Sequence, residues 1–241
     1  MWKKGCLFAF CLLAIVCSSK VWAADARHDA YLKAARAFVL EHKLPDGETI
    51  DKETIIDDFA ENKLAICDVN GDGKPELLVR FTTAARGSRQ EFICGFDEKT
   101  GKLTVIYTSV PEAEYFKNGC LKEPAARNKG LAGEKFWPYN MLMYNAKTGE
   151  YEEKGFVFAW SKEEFPTNDD DVPFPTGIDV THDGFVYFID DENFKGAKGT
   201  ETPVDTPIYK AWVKHYTGGE PPIKVTWVPA TADGIKALET K

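Results

Sequence analysis

The spacing of apolar residues predicts a helix at the start of the chain and strands after it. From residue 28 to 43, apolar side chains recur every three or four positions, which is the period of an amphipathic helix. Residues 45–47, Pro-Asp-Gly, then form a stop signal. A second short helix is predicted over 51–61. The apolar face of the first helix consists of Tyr31, Ala34, Ala35, Phe38 and Val39.

From Lys63 onward, the pattern changes to short apolar segments bounded by turn signals, which indicate β-strands. Asn118-Gly119 is a strong hairpin signal, because this dipeptide accepts the positive φ angles of a two-residue turn. The turns at 97–101 and 145–149 both end in Lys-Thr-Gly and are also interpreted as hairpins. The predicted strands lie at 64–67, 76–83, 90–96, 102–109, 114–117, 120–123, 139–144 and 151–160.

The last third of the chain mixes loops with both kinds of element. An acidic, proline-rich stretch near 162–176 predicts a surface loop. The later predictions are a strand pair from Val180 and 185–189, a loop at 190–203, a helix at 207–216 capped by Asp205 or Thr206, a strand at 223–228, and a short helix from Thr231.

These elements together predict an α+β fold. An N-terminal helix is followed by a mostly antiparallel sheet of β-hairpins, with a helix and a strand at the C-terminal end. We expect residues 24–241 to form a single α+β domain.

The first residues have the pattern of an export signal. Lys3 and Lys4 precede an apolar run from Cys6 to Cys17, and about a dozen apolar residues are too few to span a bilayer. Small residues in Val21-Trp22-Ala23 predict cleavage after Ala23. Residues 1–23 are therefore predicted to be a signal peptide, and the protein to be periplasmic or secreted. A lipid anchor at Cys17 and a retained membrane anchor are the alternatives.

The charge of the chain excludes some classes of partner. The predicted signal removes three lysines and no acid, so the formal net charge changes from −8 to −11. Nucleic acids and anionic membranes need clustered Lys and Arg, so neither is an expected partner. We expect a monomer without an integral membrane segment after signal cleavage, whose partner is an unknown protein or a glycan.

Three cysteines remain after the predicted cleavage, namely Cys67, Cys94 and Cys120. All three fall in predicted strands, where they serve as small buried side chains or where two of them form a disulfide. The sequence does not select a pair. A thiol metal site is disfavoured, because no two of them have the Cys-x-x-Cys spacing.

Residues 68–76, Asp-Val-Asn-Gly-Asp-Gly-Lys-Pro-Glu, carry the clearest chemical pattern. Oxygen-bearing side chains occupy positions 1, 3, 5 and 9, and a glycine occupies position 6. This spacing folds a short loop around a hard cation, for which calcium is the expected ion. The alternative is a polar turn that binds nothing. The expected ligands are the side chains of Asp68, Asn70 and Asp72, the backbone carbonyl of Lys74, and Glu76 directly or through water.

This loop resembles the calcium loops of EF-hand and dockerin proteins, and more closely those of FG-GAP-type β-repeat proteins. An EF-hand has an apolar residue at position 8 and a bidentate acid at position 12, where this chain has Pro75 and Val79. The flanking segments are also predicted strands, so a true EF-hand is not expected. The sequence from Leu64 to Val79 is similar to a group of exported bacterial proteins of unknown function, a resemblance that covers roughly residues 30–123. It implies a leading helix, a calcium loop and a run of β-hairpins.

Other acidic residues are weaker candidates. Because position 12 lacks its carboxylate, we expect either a weaker site or a ligand lent by another segment such as Asp57 or Asp97. Residues 179–184, Asp-Val-Thr-His-Asp-Gly, echo the loop but lack an acid or amide at position 3, which favours a hairpin turn. The run at 169–171 is interpreted as a solvated face.

No catalytic signature is present. The chain has no G-x-S-x-G, no H-E-x-x-H and no phosphate-binding glycine loop. We therefore favour an exported calcium-binding protein that acts as a binding or interaction module rather than as an enzyme. The alternative is a periplasmic or secreted hydrolase acting on glycan or peptide with a supporting cation. The aromatic residues that form either core or a sugar- or peptide-binding face are Trp137, Tyr139, Tyr144, Trp160, Trp212, Tyr216 and Trp227.

Overall fold

The computed structural model describes residues 25–125 and 130–240. The predicted signal peptide at 1–23 and its cleavage site after Ala23 lie outside these residues. Within them, eleven strands form two separate antiparallel sheets, which we name sheet A and sheet B. The α+β class is confirmed, although the hairpins are divided between two sheets.

Sheet A has five strands in the order β11-β1-β2-β3-β4. Its four consecutive strands are joined by short connections, as the predicted strands and turns indicate. Strand β11 returns from the C-terminal end of the chain to pair with β1. The bounds are β1 Lys63–Cys67, β2 Glu76–Phe81, β3 Gln90–Asp97, β4 Lys102–Ser109 and β11 Val228–Pro229.

Sheet B has six strands in the order β10-β9-β8-β7-β6-β5, so each strand pairs with its neighbour in the chain. The bounds are β5 Glu114–Tyr115, β6 Cys120–Pro124, β7 Tyr139–Asn145, β8 Glu150–Ser161, β9 Phe185–Asp190 and β10 Gly199–Val204.

The helices lie mainly near the two ends of the described chain. Helix α1 covers residues 25–41, α2 covers Thr206–Thr217 and α3 covers Ala232–Glu239. Short 3₁₀ turns occur at Lys52–Thr54, Phe59–Glu61, Arg86–Ser88 and Gly130–Lys135. No helix in the described ranges has both the length and the apolar character that crossing a bilayer requires.

Buried apolar side chains pack on both faces of each sheet and form three core layers. Tyr31 and Phe38 of α1 pack on one face of sheet A, and Trp212 of α2 packs on one face of sheet B. The other faces of both sheets meet in a shared cluster that includes Leu78 and Leu142. Because successive strand residues point to opposite faces, each central strand contributes to two of these layers. The order is therefore α1, sheet A, sheet B and α2.

The predicted second helix at 51–61 is wrong. Its residues form two separate 3₁₀ turns, because the side chains of Asp51 and Asp58 each accept a backbone N–H that begins a new turn. Between the turns, Ile55 is extended and forms an isolated β-bridge with Ala84. The β-branched side chain of Ile55 suits this extended backbone.

Two predictions in the last third are also wrong. Val180 belongs to no strand and is 71% exposed; β9 pairs instead with β8 and with β10, and β10 begins inside the predicted loop at 190–203. The sequence pattern did not predict β10, because β10 is an edge strand whose only fully buried side chain is Val204. The predicted strand at 223–228 is reduced to β11, since Pro221 and Pro222 just before it lack the N–H groups of a ladder.

The three cysteines lie in three different core clusters. Cys94 packs beneath α1, Cys120 packs beneath α2, and Cys67 contacts the cluster between the sheets. The structure joins no two of these cysteines. Burial also raises the pKa of the Cys120 thiol to about 12, which makes this thiol unreactive. The interpretation as small buried side chains therefore fits Cys94 and Cys120, whereas Cys67 is only partly buried.

Candidate functional site

The acidic loop, residues 68–76, joins β1 to β2 in sheet A. Its two ends are held together because Cys67 and Glu76 face each other in the ladder between these strands. The glycines at positions 4 and 6 have φ angles of 76° and 83°, in the left-handed region that favours glycine. The sequence therefore closes a tight loop at the end of a buried hairpin.

The side chains of the loop turn inward onto its own backbone. The carboxylate of Asp68 accepts hydrogen bonds from the N–H groups of Gly71 and Gly73, both at 2.9 Å. Asn70 Oδ1 accepts the N–H of Asp72 at 2.9 Å. Asp72 Oδ1 in turn accepts the N–H of Lys74 at 2.7 Å. Since each of these oxygens has a second lone pair, the hydrogen bonds hold the side chains in place without using all of their acceptor capacity.

Glu76 is the buried member of the loop, with 3% of its surface exposed. Its Oε2 accepts the N–H of Val69 and its Oε1 accepts the side-chain amide of Asn70, both at 3.0 Å. Burial raises the pKa of Glu76 to about 8; the Val69 hydrogen bond opposes this shift, and the charges of Asp72 and Asp68 add to it. An ionised Glu76 is therefore costly unless a counter-charge lies nearby.

Four of the five predicted ligand residues surround one small cavity of about 190 Å³, the loop cavity. Asn70, Asp72, Lys74 and Glu76 line it, whereas Asp68 lies on the backbone side of the loop. The donors are hard oxygens of the kind that calcium prefers. Within residues 25–125 and 130–240, however, no three His, Cys, Asp or Glu side chains converge as a ready-made metal site. Binding at this loop therefore needs amide and carbonyl oxygens or a rotation of Asp72.

The neighbours of the loop cavity include one of the two predicted additional ligands. Asp97 lines the cavity, but its oxygens already accept hydrogen bonds from Lys99 N–H and Thr100 Oγ1, both at 2.8 Å. Asp57 does not line it. The side chain of Lys74 extends to Glu98, with an Nζ–Oε1 distance of 2.9 Å. Lys74 can therefore offer an ion its backbone carbonyl but not its side chain.

The acidic loop also forms a contact between the layers, which the sequence did not predict. A Cβ on Gly71 would overlap the carbonyl oxygen of Lys117 in the β5–β6 hairpin of sheet B, and a Cβ on Gly119 would lie 2.5 Å from the carbonyl oxygen of Asn70. Tyr151 of sheet B donates to the Val69 carbonyl at 3.3 Å. The signal was present in two Asn-Gly pairs: 70–71 was interpreted as part of the cation loop and 118–119 as a hairpin turn, and neither pattern predicts that the two approach each other.

The loop at 179–184 uses the same backbone arrangement without a cluster of ligands. Asp179 is 5% exposed, and its two oxygens accept the N–H groups of Asp183 and Gly184, both at 3.1 Å. Two hydrogen bonds to a buried carboxylate are what a stable polar turn requires. These residues therefore form a polar turn that needs no ion, although it is not the predicted hairpin turn, because no strand directly precedes it.

The aromatic residues divide between core and surface. Trp212 and Tyr139 are buried in the cluster under α2, and Trp160 is buried in a smaller cluster on the same sheet. Trp137, by contrast, is 40% exposed. The seven aromatic residues therefore do not form one continuous strip.

Comparison of the chain with protein-family models, with curated proteins and with solved structures found no match. The chemistry of the acidic loop therefore carries the functional assignment.

Proposed function

We propose that this protein is an exported calcium-binding protein, periplasmic or secreted, whose acidic loop holds one calcium ion in a structural role. The observation that carries the proposal is the buried carboxylate of Glu76 beside Asp72 and Asp68. Three acids in one nine-residue loop repel each other, and a divalent cation removes that repulsion. The proposed ligands are the side-chain oxygens of Asn70, Asp72 and Glu76 and the backbone carbonyl of Lys74, all of which line the loop cavity. Asp68 completes the proposed set only if one of its oxygens turns from the loop N–H groups to the ion.

The position of the loop gives the ion its structural role. The loop contacts the hairpin of sheet B at Gly119, and Tyr31 of α1 donates to the Pro75 carbonyl at 2.9 Å. An ion that orders the loop therefore stabilises the contacts among α1, sheet A and sheet B. Because the loop exists only in the folded chain, calcium stabilises the fold by mass action. The protein then serves as a binding module for a protein or glycan partner.

Thermal unfolding in excess EDTA and in calcium tests the proposal. At a calcium concentration of about 100 times Kd, the gain is about 2.7 kcal/mol, or roughly 5–10 °C in Tm for a chain of this size. The informative variant is Asp72→Asn, since Asp72 is exposed and asparagine keeps the acceptor for the Lys74 N–H while removing the charge. We expect this variant to lose most of the gain.

Asp51→Asn is the matched control. Asp51 is also exposed, and its Oδ1 accepts the N–H two residues later in the same manner, at 3.1 Å. This variant should keep the full calcium effect. An identical Tm in EDTA and in calcium, or an equal loss in the two variants, would refute the proposed ion site.

A further inference from the structure

A large groove opens at the end of the two sheets, away from the acidic loop. Its volume is about 920 Å³, near the upper end of the roughly 300–1,000 Å³ that small-molecule sites occupy. It is lined by the β2–β3 and β4–β5 connections, by strand β6, by the segment before β7 and by α2. We call it the aromatic groove. None of the acidic-loop residues lines it.

One wall of the aromatic groove is a fixed set of rings. Phe136 lies 5.8 Å from Tyr139 and 5.7 Å from Tyr209, measured between ring centroids. Tyr139 and Tyr209 are joined by a hydrogen bond of 3.0 Å between their hydroxyl groups. These contacts anchor the backbone next to Trp137, whose indole remains 40% exposed. The groove therefore has a flat aromatic face that is positioned and accessible.

The lining of the groove also includes two charged residues, Arg89 and Glu112, that make no ion pair with another described residue. Arg89 donates its Nε–H to the Ala84 carbonyl at 3.0 Å, which fixes the guanidinium. The other charges at the groove are paired, since Lys122 contacts Glu114 at 3.1 Å and Lys135 contacts acids outside the groove.

Glu112 is held in an unusual conformation. Its φ is 78°, in the left-handed region that non-glycine residues rarely adopt. Its N–H donates at 3.1 Å to Glu91, which is fully buried and forms an ion pair of 2.5 Å with Arg80. The Tyr115 hydroxyl also donates to Glu91. A buried network thus fixes the backbone that presents Glu112 to the groove.

The chemistry of the groove suits a saccharide better than a peptide strand. Strand addition needs a free sheet edge, but the adjacent edge strand β5 has only two residues and its Tyr115 carbonyl already accepts the Ile223 N–H at 2.7 Å. An exposed indole packs against the C–H face of a sugar ring, while a carboxylate such as Glu112 accepts hydrogen bonds from hydroxyl groups. The unpaired guanidinium of Arg89 favours a carboxylate on the ligand.

We propose that the aromatic groove binds a short acidic saccharide, with a sugar ring stacked on Trp137, a carboxylate held by Arg89 and hydroxyl groups bound by Glu112. Among the described residues that line the groove, Lys122 and Lys135 are paired with acids, so the charges there are close to balanced, whereas the chain as a whole has a net charge of −8. The guanidinium of Arg89 is therefore the cation at the groove that is left to attract an anionic ligand. The inference does not depend on calcium at the acidic loop.

Calorimetric titration tests this inference. The probes are tetragalacturonate, a hyaluronan tetrasaccharide and an N-acetylmuramic acid disaccharide, with cellotetraose and chitotetraose as neutral counterparts. All titrations contain EDTA, so that a sugar carboxylate bridged to the loop by calcium is excluded. We expect at least one acidic probe to bind more tightly than the neutral probes. Trp137→Ala and Arg89→Gln should each raise its Kd about tenfold or more.

The matched controls replace an exposed aromatic ring and an exposed guanidinium outside the groove. Phe165→Ala removes another exposed ring, and Arg36→Gln removes another exposed guanidinium, neither of which lines the groove. Both should leave the Kd unchanged. The inference is overturned if no acidic probe binds in EDTA, if the neutral probes bind as tightly as the acidic ones, or if the controls weaken binding as much as the groove variants do.

Discussion

The burial of Glu76 makes the stability of the calcium-free protein depend on pH in an unusual direction. The folded-state pKa is about 8, against an ordinary value of 4.5. Because the pKa is raised on folding, the stabilising contribution is fully present below the ordinary pKa and is lost as pH rises through the folded-state value. The pH window of this loss therefore runs from the ordinary pKa of Glu76 to slightly above its folded-state pKa.

The size of the effect follows from the same shift. Each tenfold change in proton affinity corresponds to about 1.4 kcal/mol, so raising the pH from about 5 to about 8 should cost roughly 3 kcal/mol of folding free energy in EDTA. A calcium ion at the loop favours the ionised carboxylate and should remove most of this loss. The gain in stability on adding calcium should thus grow as the pH rises through the window.

Urea unfolding at a series of pH values measures how the free energy of unfolding changes with pH, once in EDTA and once in calcium. Glu76→Gln is the control, because it removes the titrating group and retains one acceptor oxygen. The pKa values of Asp97 and Glu98 are lowered, through hydrogen bonds from Thr100 and Lys74 respectively, so these acids titrate below the window. If wild type and Glu76→Gln lose stability equally between about pH 5 and about pH 8 in EDTA, the reasoning is wrong.

Further predictions concern the packing of the fold. Gly71→Ala should lower the free energy of unfolding by about 1–3 kcal/mol more than Gly73→Ala, because both have positive φ but only Gly71 abuts the other sheet; equal losses in urea unfolding would contradict that contact. Glu91→Ala should lower the free energy of unfolding by about 3–5 kcal/mol, because it leaves the charge of Arg80 without its partner beside a fully buried site. A decrease below about 1 kcal/mol would contradict the buried network around Glu91. Cys94 and Cys120 should react with a thiol reagent only on unfolding, as mass spectrometry of the native protein can check.

The sequence predicted the elements whose pattern arises from one buried face. Tyr31, Ala35 and Phe38 recur at helical spacing because one side of α1 rests on sheet A. The hairpins were equally clear, since Asn118-Gly119 and the Lys-Thr-Gly turns separate segments rich in apolar residues. Strand β10 was missed because it is an edge strand with a single fully buried side chain and so lacks an apolar segment.

The site could be predicted only in part. The local spacing in residues 68–76 was enough to nominate the oxygens, because the loop closes on itself. The burial of Glu76 and the approach of Gly119 depend on how two sheets pack, and no local pattern encodes that. The aromatic groove could not be predicted from the sequence for the same reason, because Arg89, Glu112 and Trp137 come from three separate connections between strands.

Direct calcium binding to the purified protein tests the central claim most directly. Equilibrium dialysis with radioactive calcium should give saturable binding of about one ion per chain, as a single loop requires. Asp72→Asn should bind several-fold more weakly, and Asp51→Asn should bind like the wild type. The absence of saturable binding at millimolar calcium, or equal binding by Asp72→Asn and the wild type, would contradict calcium as the ligand of loop 68–76.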